Sequence, residues 1–215
     1  MEVAAVLVAA GSGERLGADR PKAFVVVGGR PMLEWSVAAI RAAGIERIAV
    51  ALPQGQSAPA GCAGVRGGAT RSESVRAAVE AAGGAERVIV HDAARPLVEP
   101  DLFTRCLAAL DEADAAIAAA AMTDTVKEAG ADRIVSATLD RSRLWAVQTP
   151  QAFRRTALER ALACSEDVIR AATDDSMLVE RLGGVVRVVE STPANFKITT
   201  PHDLEIAELL LGRRP

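Results

Sequence analysis

Cysteine, aromatic residues, long apolar runs and any strong excess of charge are all scarce in this chain of 215 residues. The three cysteines, Cys62, Cys106 and Cys164, lie far apart and form no C-x-x-C pair. That argues against a zinc ribbon or redox centre and suits the reducing cytoplasm. Aromatics make up 3% of the chain, too few for a stacking platform that would bind single-stranded nucleic acid. A net charge of −3 argues against a general nucleic-acid coat, although local cations can still hold a small anion. No apolar stretch is longer than that of residues 115–122, which falls well short of the roughly 20 residues needed to span a bilayer. The opening MEVAAVLVAAG lacks a basic leader and runs into a charged loop, so it does not read as a signal peptide. Half of the residues are hydrophobic, enough for a sizeable core, though much of that content is alanine. The length fits one domain over residues 1–215.

Residues 3–22, VAAVLVAAGSGERLGADRPK, organise the rest. The apolar run reads as a parallel strand buried on both faces. Gly11 and Gly13 let backbone N–H groups come close to a ligand, and Arg15 and Lys22 supply positive charge where a polyphosphate on those amides would lie. The loop is neither of the two common phosphate loops. Gly17 comes one residue late for G-x-G-x-x-G, and no Gly-Lys-Ser or Gly-Lys-Thr follows. Read alone, it could also be a tight turn with two solvated cations.

Further along, Gly28-Gly29 marks a turn, a helix runs over residues 32–43, a strand over 47–52 and a loop over 53–64. Gly67-Gly68 precedes Thr70-x-x-Glu73, a capping box that starts a helix reaching about Ala82. Glycines before a helix N-terminus again offer amides and a positive dipole end. A strand over 87–90 runs into His91-Asp92-Ala93-Ala94-Arg95-Pro96. In open α/β sheets, residues just past a strand's carboxyl end face the ligand crevice. Asp92 suits a ligand hydroxyl or a metal-bound water and Arg95 a phosphate, unless the two simply pair with each other. His91 reads as a structural histidine. A helix over 100–110 and a strand over 115–122 continue the alternation, which predicts a doubly wound, mainly parallel, Rossmann-like sheet. Residues 123–150 break it. Two short β-prone runs, 125–127 and 133–139, flank a turn at Gly130 and read as a hairpin arm leaving the sheet. Such an arm needs a partner, and a second copy of the chain is the simplest one. Helices over 154–163 and 174–182, a strand over 185–190, a short β-prone run over 195–199 and a final helix capped by Thr200 complete the reading.

Six motifs then occur together in order: AAGSGERLGADRPKAF (9–24), GGATRSESV (67–75), HDAARP (91–96), DTVK (124–127), DRSRLWAVQTPQ (140–151) and NFKITTPHDL (195–204). Over nearly its whole length the chain thereby resembles the 2-C-methyl-D-erythritol 4-phosphate cytidylyltransferases, nucleotidyltransferases of the non-mevalonate isoprenoid pathway. The resemblance implies transfer of CMP from CTP to methylerythritol phosphate, with Mg²⁺ carried mainly on the CTP phosphates and no protein metal ligand named. Catalysis would fall to Arg15, Lys22, Arg141 and Lys197. Ala9, Ala10, Gly11, Gly13, Gly68, Ser74 and Ala93 would line the nucleotide. Asp92, Arg95, Thr125, Arg141, Thr149 and Lys197 would contact the substrate. It further implies a cytoplasmic homodimer whose arm reaches the neighbouring subunit's site, with no nucleic-acid or membrane partner. Three other readings stand beside it: the same chemistry on another polyol phosphate such as ribitol 5-phosphate, transfer of another base, and a non-catalytic nucleotide sensor. HDAARP and the arm argue against another base. Arg15, Lys22, Arg141 and Lys197 together argue against the sensor.

Overall fold

The computed structural model describes residues 2–11, 13, 16, 17 and 20–212. Its first strand, β1 (Val3–Val8), is apolar throughout because both of its faces are covered. The chain continues through a small hairpin, β2 (Val26–Val27) and β3 (Arg30–Pro31), turning at Gly28-Gly29, both with positive φ. Pro31 caps helix α1 (Met32–Ala42). Then come β4 (Arg47–Leu52), β5 (Ala63–Arg66), α2 (Arg71–Ala81), β6 (Arg87–Asp92), α3 (Pro100–Ala108) and β7 (Ala115–Ala121). The arm carries β8 (Lys127–Ala129) and β9 (Val135–Thr138). The chain returns through β10 (Trp145–Arg154), α4 (Arg155–Leu162), α5 (Glu166–Ala171), α6 (Asp175–Arg181), β11 (Val186–Glu190) and α7 (Pro201–Leu211).

Seven strands form one sheet in the order β11-β7-β10-β6-β1-β4-β5. All are parallel except β10, which runs against both β6 and β7. The expected mainly parallel α/β sheet is therefore present, with one opposed strand. Strand residues alternate between two cores, as a period of two requires. Ala5 and Leu7 of β1 pack with Leu33, Val37 and Ile40 of α1 and Phe103 of α3. Ala4 and Val6 face Val75 and Val79 of α2, Leu158 of α4 and Leu178 of α6. Phe153 of β10 is fully buried in this second layer, and its truncation to alanine is expected to cost about 3–5 kcal/mol. A third, smaller cluster packs α7 through Ala207 and Leu211 onto Val27, Met32, Leu97 and Ile198.

Both predicted caps form in full. Thr70 accepts from the Glu73 backbone N–H at 3.2 Å while Glu73 Oε2 accepts from Thr70 N–H at 3.2 Å. Thr200 and Asp203 do the same at the start of α7. Cys106 packs in the first core, where burial pushes its thiol up to about 12, so it stays protonated.

Four local expectations need correction. Part of the stretch 123–150, expected to leave the sheet, lies within it: residues 145–154 form the ten-residue strand β10. Its register breaks between Val147 and Gln151, and Pro150, which cannot donate to a ladder, falls within that break. The loop expected over 53–64 gives way at Ala63 to the edge strand β5. The β-prone run 195–199 forms no strand: Ile198 N–H bonds the Ala94 carbonyl at 2.9 Å and its side chain fills the third cluster. Helix α5 is an element the sequence pattern does not announce. No helix among the described residues is long and apolar enough to cross a membrane.

Candidate active site

The carboxyl ends of β1 and β6 lie level, with Val8 opposite Asp92. Beyond them a cleft of about 670 Å³ opens between the loop after β1, the start of α2 and the segment leading to α7. Ala9, Ala10, Gly11, Gly13, Lys22, Gly68, Ser74, Asp92 and Lys197 all line it. These nine expected site residues, drawn from four motifs spread across the sequence, are brought together. Of the expected nucleotide residues, Ala93 alone sits back: it is fully buried in the first core with its N–H bonded to the Val8 carbonyl, and Ala94 lines the cleft instead. Arg15 lies outside the described residues.

Close backbone approach sets the cleft walls. Gly13 has φ +77°, and a Cβ there would sit 2.7 Å from Lys22 Cβ, so glycine is what lets the loop fold onto Lys22. A Cβ on Gly67 would fall 2.3 Å from Ala10 Cβ, which joins the α2 wall to the β1 wall. The Ser74 hydroxyl braces this corner, accepting from Gly68 N–H at 3.1 Å and donating to the Thr70 carbonyl at 2.9 Å. One acceptor lone pair remains on it.

Charge concentrates at Asp92. Its Oδ1 accepts from Arg71 Nε at 3.1 Å and its Oδ2 from Lys197 Nζ at 2.8 Å. Burial alone would raise its pKa, but the charges of Arg71, Lys197 and Arg95 outweigh burial and hold the carboxyl well below the usual range. Arg71 also bonds Asp175 through Nη1. Burial works against the Arg71 charge, and the two carboxylates more than restore it. Asp175 is fully buried, and burial raises its pKa despite that partner. The alternative pairing of Asp92 with Arg95 does not form: Arg95 Nη1 donates to the Asn195 carbonyl at 2.7 Å.

A second cleft of about 450 Å³ adjoins the first and contains Arg95 and Thr149, with Gln148, Gln151 and Asp174. Arg71, Asp92 and Lys197 line both clefts and form the seam between them. Behind the seam runs a buried polar relay. Asp92 N–H donates to Thr149 Oγ1 at 3.0 Å, which lies 3.0 Å from His91 Nδ1. His91 Nε2 lies 3.3 Å from the Arg95 carbonyl. A carbonyl only accepts, so Nε2 carries the proton and Nδ1 accepts from Thr149. Burial lowers the His91 pKa to about 3, so the ring is neutral at pH 7, in line with its reading as a structural histidine. Asn195 Nδ2 donates to Gln148 Oε1 and to the Thr149 carbonyl, both at 2.9 Å, which ties the segment bearing Lys197 to β10.

Thr125 and Arg141 lie on the arm and line neither cleft. Arg141 donates from Nη1 to the Thr123 carbonyl at the arm's base. Residues Ile134 and Val135 are 69% and 54% exposed, so the arm finds little cover within its own chain. Sequence reasoning missed Arg71 and Asp175. A signal existed: a cation in the first turn of α2 opposes the helix dipole and calls for acidic partners.

No cluster of three or more His, Cys, Asp or Glu residues suited to a metal occurs among the described residues. Asp92 is the one described carboxylate lining the first cleft, and cations hold both of its oxygens. Such a donor set suits Mg²⁺ arriving on a polyphosphate better than a protein cage.

Residues 3–213 match the model of the 2-C-methyl-D-erythritol 4-phosphate cytidylyltransferase family. A protein of that name from Nocardia farcinica is 47% identical over 222 residues, covering 99% of this chain and 95% of its own. One from Synechococcus sp. strain WH7803 is 44% identical over 220 residues, covering 97% and 99%. The crystal structure of 2-C-methyl-D-erythritol 4-phosphate cytidylyltransferase from Thermus thermophilus superposes with a TM-score of 0.84 at 39% identity, covering 99% of this chain and all of its own. Motifs, topology and full-length similarity agree, and the chain belongs to the 2-C-methyl-D-erythritol 4-phosphate cytidylyltransferase family.

Proposed function

We propose that this chain transfers the CMP unit of CTP to the phosphate of 2-C-methyl-D-erythritol 4-phosphate and releases pyrophosphate. The observation that carries this reading is the seam. A glycine-walled, cationic cleft for a nucleotide meets a second polar cleft at Arg71, Asp92 and Lys197. The acceptor phosphate is already anionic, so its oxygen attacks the α-phosphorus without a general base. The bond to the β-phosphate breaks, and pyrophosphate leaves with the electron pair. The protein's task is positioning and charge stabilisation. Lys22 faces the charge that builds on the α-phosphate and the leaving group, a role the family resemblance also gives Arg15, and loss of one such fixed donor costs about 10²–10³ in rate. Lys197 and Arg141 orient the attacking phosphate, and Asp92 takes polyol hydroxyls. When bound with CTP, Mg²⁺ supplies neutralisation of phosphate charge.

The working unit in this reading is a cytoplasmic homodimer. The two-stranded arm exposes Ile134, Val135 and Leu139, and the start of β10 exposes Trp145, a surface that a second copy covers while Thr125 and Arg141 enter that copy's site. The test is pyrophosphate release with Mg²⁺, crossing CTP, UTP, GTP and ATP against methylerythritol phosphate and ribitol phosphate. Release that needs CTP and methylerythritol phosphate together is expected. Preference for ribitol phosphate changes the acceptor, and CTP binding without turnover refutes the activity.

A further inference from the structure

We infer that Arg71 is a positioning residue for the polyol side of the reaction: its guanidinium, anchored on the buried Asp175 carboxylate, fixes Asp92 at the seam of the two clefts. The inference rests on the proposed activity and adds to it two residues that none of the six motifs places in the site by role.

The geometry is that of a brace. Arg71 opens α2, Asp92 ends β6 and Asp175 opens α6, so one side chain ties three elements together. Nε serves Asp92 and Nη1 serves Asp175. The planar fork therefore spends one donor on each carboxylate, and neither acid can turn without the guanidinium. The α6 end is itself anchored. Asp174 accepts from Gln151 Nε2 at 2.7 Å, from Ser176 Oγ at 2.9 Å and from Met177 N–H at 3.0 Å. Asp175 is fully buried, and its Oδ1 has no hydrogen-bond partner among the described residues. A buried ion pair with an orphaned oxygen adds little net stability over apolar packing, so its consequence is orientation. At the far end of the brace, Asp92 has two lone-pair sites occupied and two left to accept hydroxyls. Its carboxylate plane, and so the direction of those remaining sites, is set by Arg71 on one oxygen and Lys197 on the other.

Lysine at position 71 keeps the charge but is a single point that cannot bridge two carboxylates. Arg71→Lys and Asp175→Asn are therefore expected to raise KM for methylerythritol phosphate about tenfold or more, while Kd for CTP, read by calorimetry, stays within about threefold. Thermal melts establish that each variant is folded. A purely structural role would weaken both ligands alike or neither, and either result overturns the inference. A second readout separates it from the activity. Asp92 is faced by Arg71 from α2, Asp175 from α6, Lys197 from the segment before α7, and His91 and Arg95 of its own stretch. In Arg71→Gln the largest counter-charge is gone and burial is less opposed, so the Asp92 carboxyl pKa, followed by its ¹³C shift, rises, and the acid limb of kcat/KM moves to higher pH with it. An unmoved ¹³C titration refutes the brace even if turnover falls. Failure of the wild type to release pyrophosphate refutes the activity, while the ¹³C titration still decides the brace.

Discussion

Replacing Gly67 with alanine should separate the two walls of the cleft. The added Cβ would lie 2.3 Å from Ala10 Cβ and 3.1 Å from Ser74 Oγ. Carbon atoms rest about 3.5 Å apart or more, so the walls must part by roughly 1.2 Å. Neither neighbour can swing aside: Ala10 has no side-chain torsion, and Ser74 is held by Gly68 N–H and the Thr70 carbonyl. A misplacement of about 1 Å costs on the order of 10²-fold in rate where catalysis depends on positioning. The overpacking itself is expected to cost about 1–3 kcal/mol, a few degrees of melting temperature for a chain of this size. Gly84→Ala is the control, since its Cβ meets no atom of the described residues within 4 Å and its φ lies outside the left-handed region. Pyrophosphate release with varied CTP, beside a thermal melt, gives both numbers. We expect kcat/KM for CTP to fall about 100-fold in Gly67→Ala and to stay put in Gly84→Ala. A folded Gly67→Ala enzyme within threefold of wild type would refute the claim that this contact sets the cleft.

Gly11→Ala probes the ligand instead of the walls: its Cβ meets no atom of the described residues within 4 Å, so the melt should not change, while Kd for CTP should weaken about tenfold or more with phosphates lying against that backbone. His91 gives a stability signature. Its folded pKa of about 3 lies below its unfolded value near 6.5, so the unfolded state takes up the extra proton between them. Stability is then fully present above about pH 6.5 and lost as pH falls toward 3, reaching about 2 kcal/mol by pH 5. Asp175, whose folded pKa is raised, acts with the opposite sign, so the test is denaturant unfolding of wild type against His91→Gln from pH 7 to 5. A parallel decline in both would refute it. Mixing Arg141→Met with Lys197→Met subunits tests the arm: one site of a mixed dimer is then intact, and an equimolar mixture should recover about a quarter of wild-type activity. No recovery would place the arm on its own subunit's site.

The sequence made the frame legible where one principle acted alone. The apolar runs of β1, β4, β6 and β7 announce a sheet covered on both faces, and the two capping boxes mark the starts of α2 and α7. β10 was hidden because Thr149-Pro150-Gln151 breaks its pattern just where the register shifts. β5 was hidden by Gly64, where an added Cβ would lie 3.1 Å from Ala58 and from Leu52. Most of the cleft lining could be read from motifs. The roles of Arg71 and Asp175 could not, since the two residues stand 104 positions apart and only folding brings them into contact. The Thr149–His91 contact is equally non-local, at 58 positions.

The opposed strand also shapes how the chain must be made. β6 and β7 never pair with each other, because β10 lies between them. Both strands that border this gap leave the ribosome before Arg154 does, so the nascent chain carries β6 and β7 with facing open edges. Open edges are templates for pairing with other chains. The arm, residues 123–144, is the segment that must stay clear of the gap until β10 threads in behind it. Chains stalled or clipped before residue 154 should therefore be aggregation-prone out of proportion to the length they lack, whereas clipping within the exposed β8–β9 hairpin should leave the sheet closed.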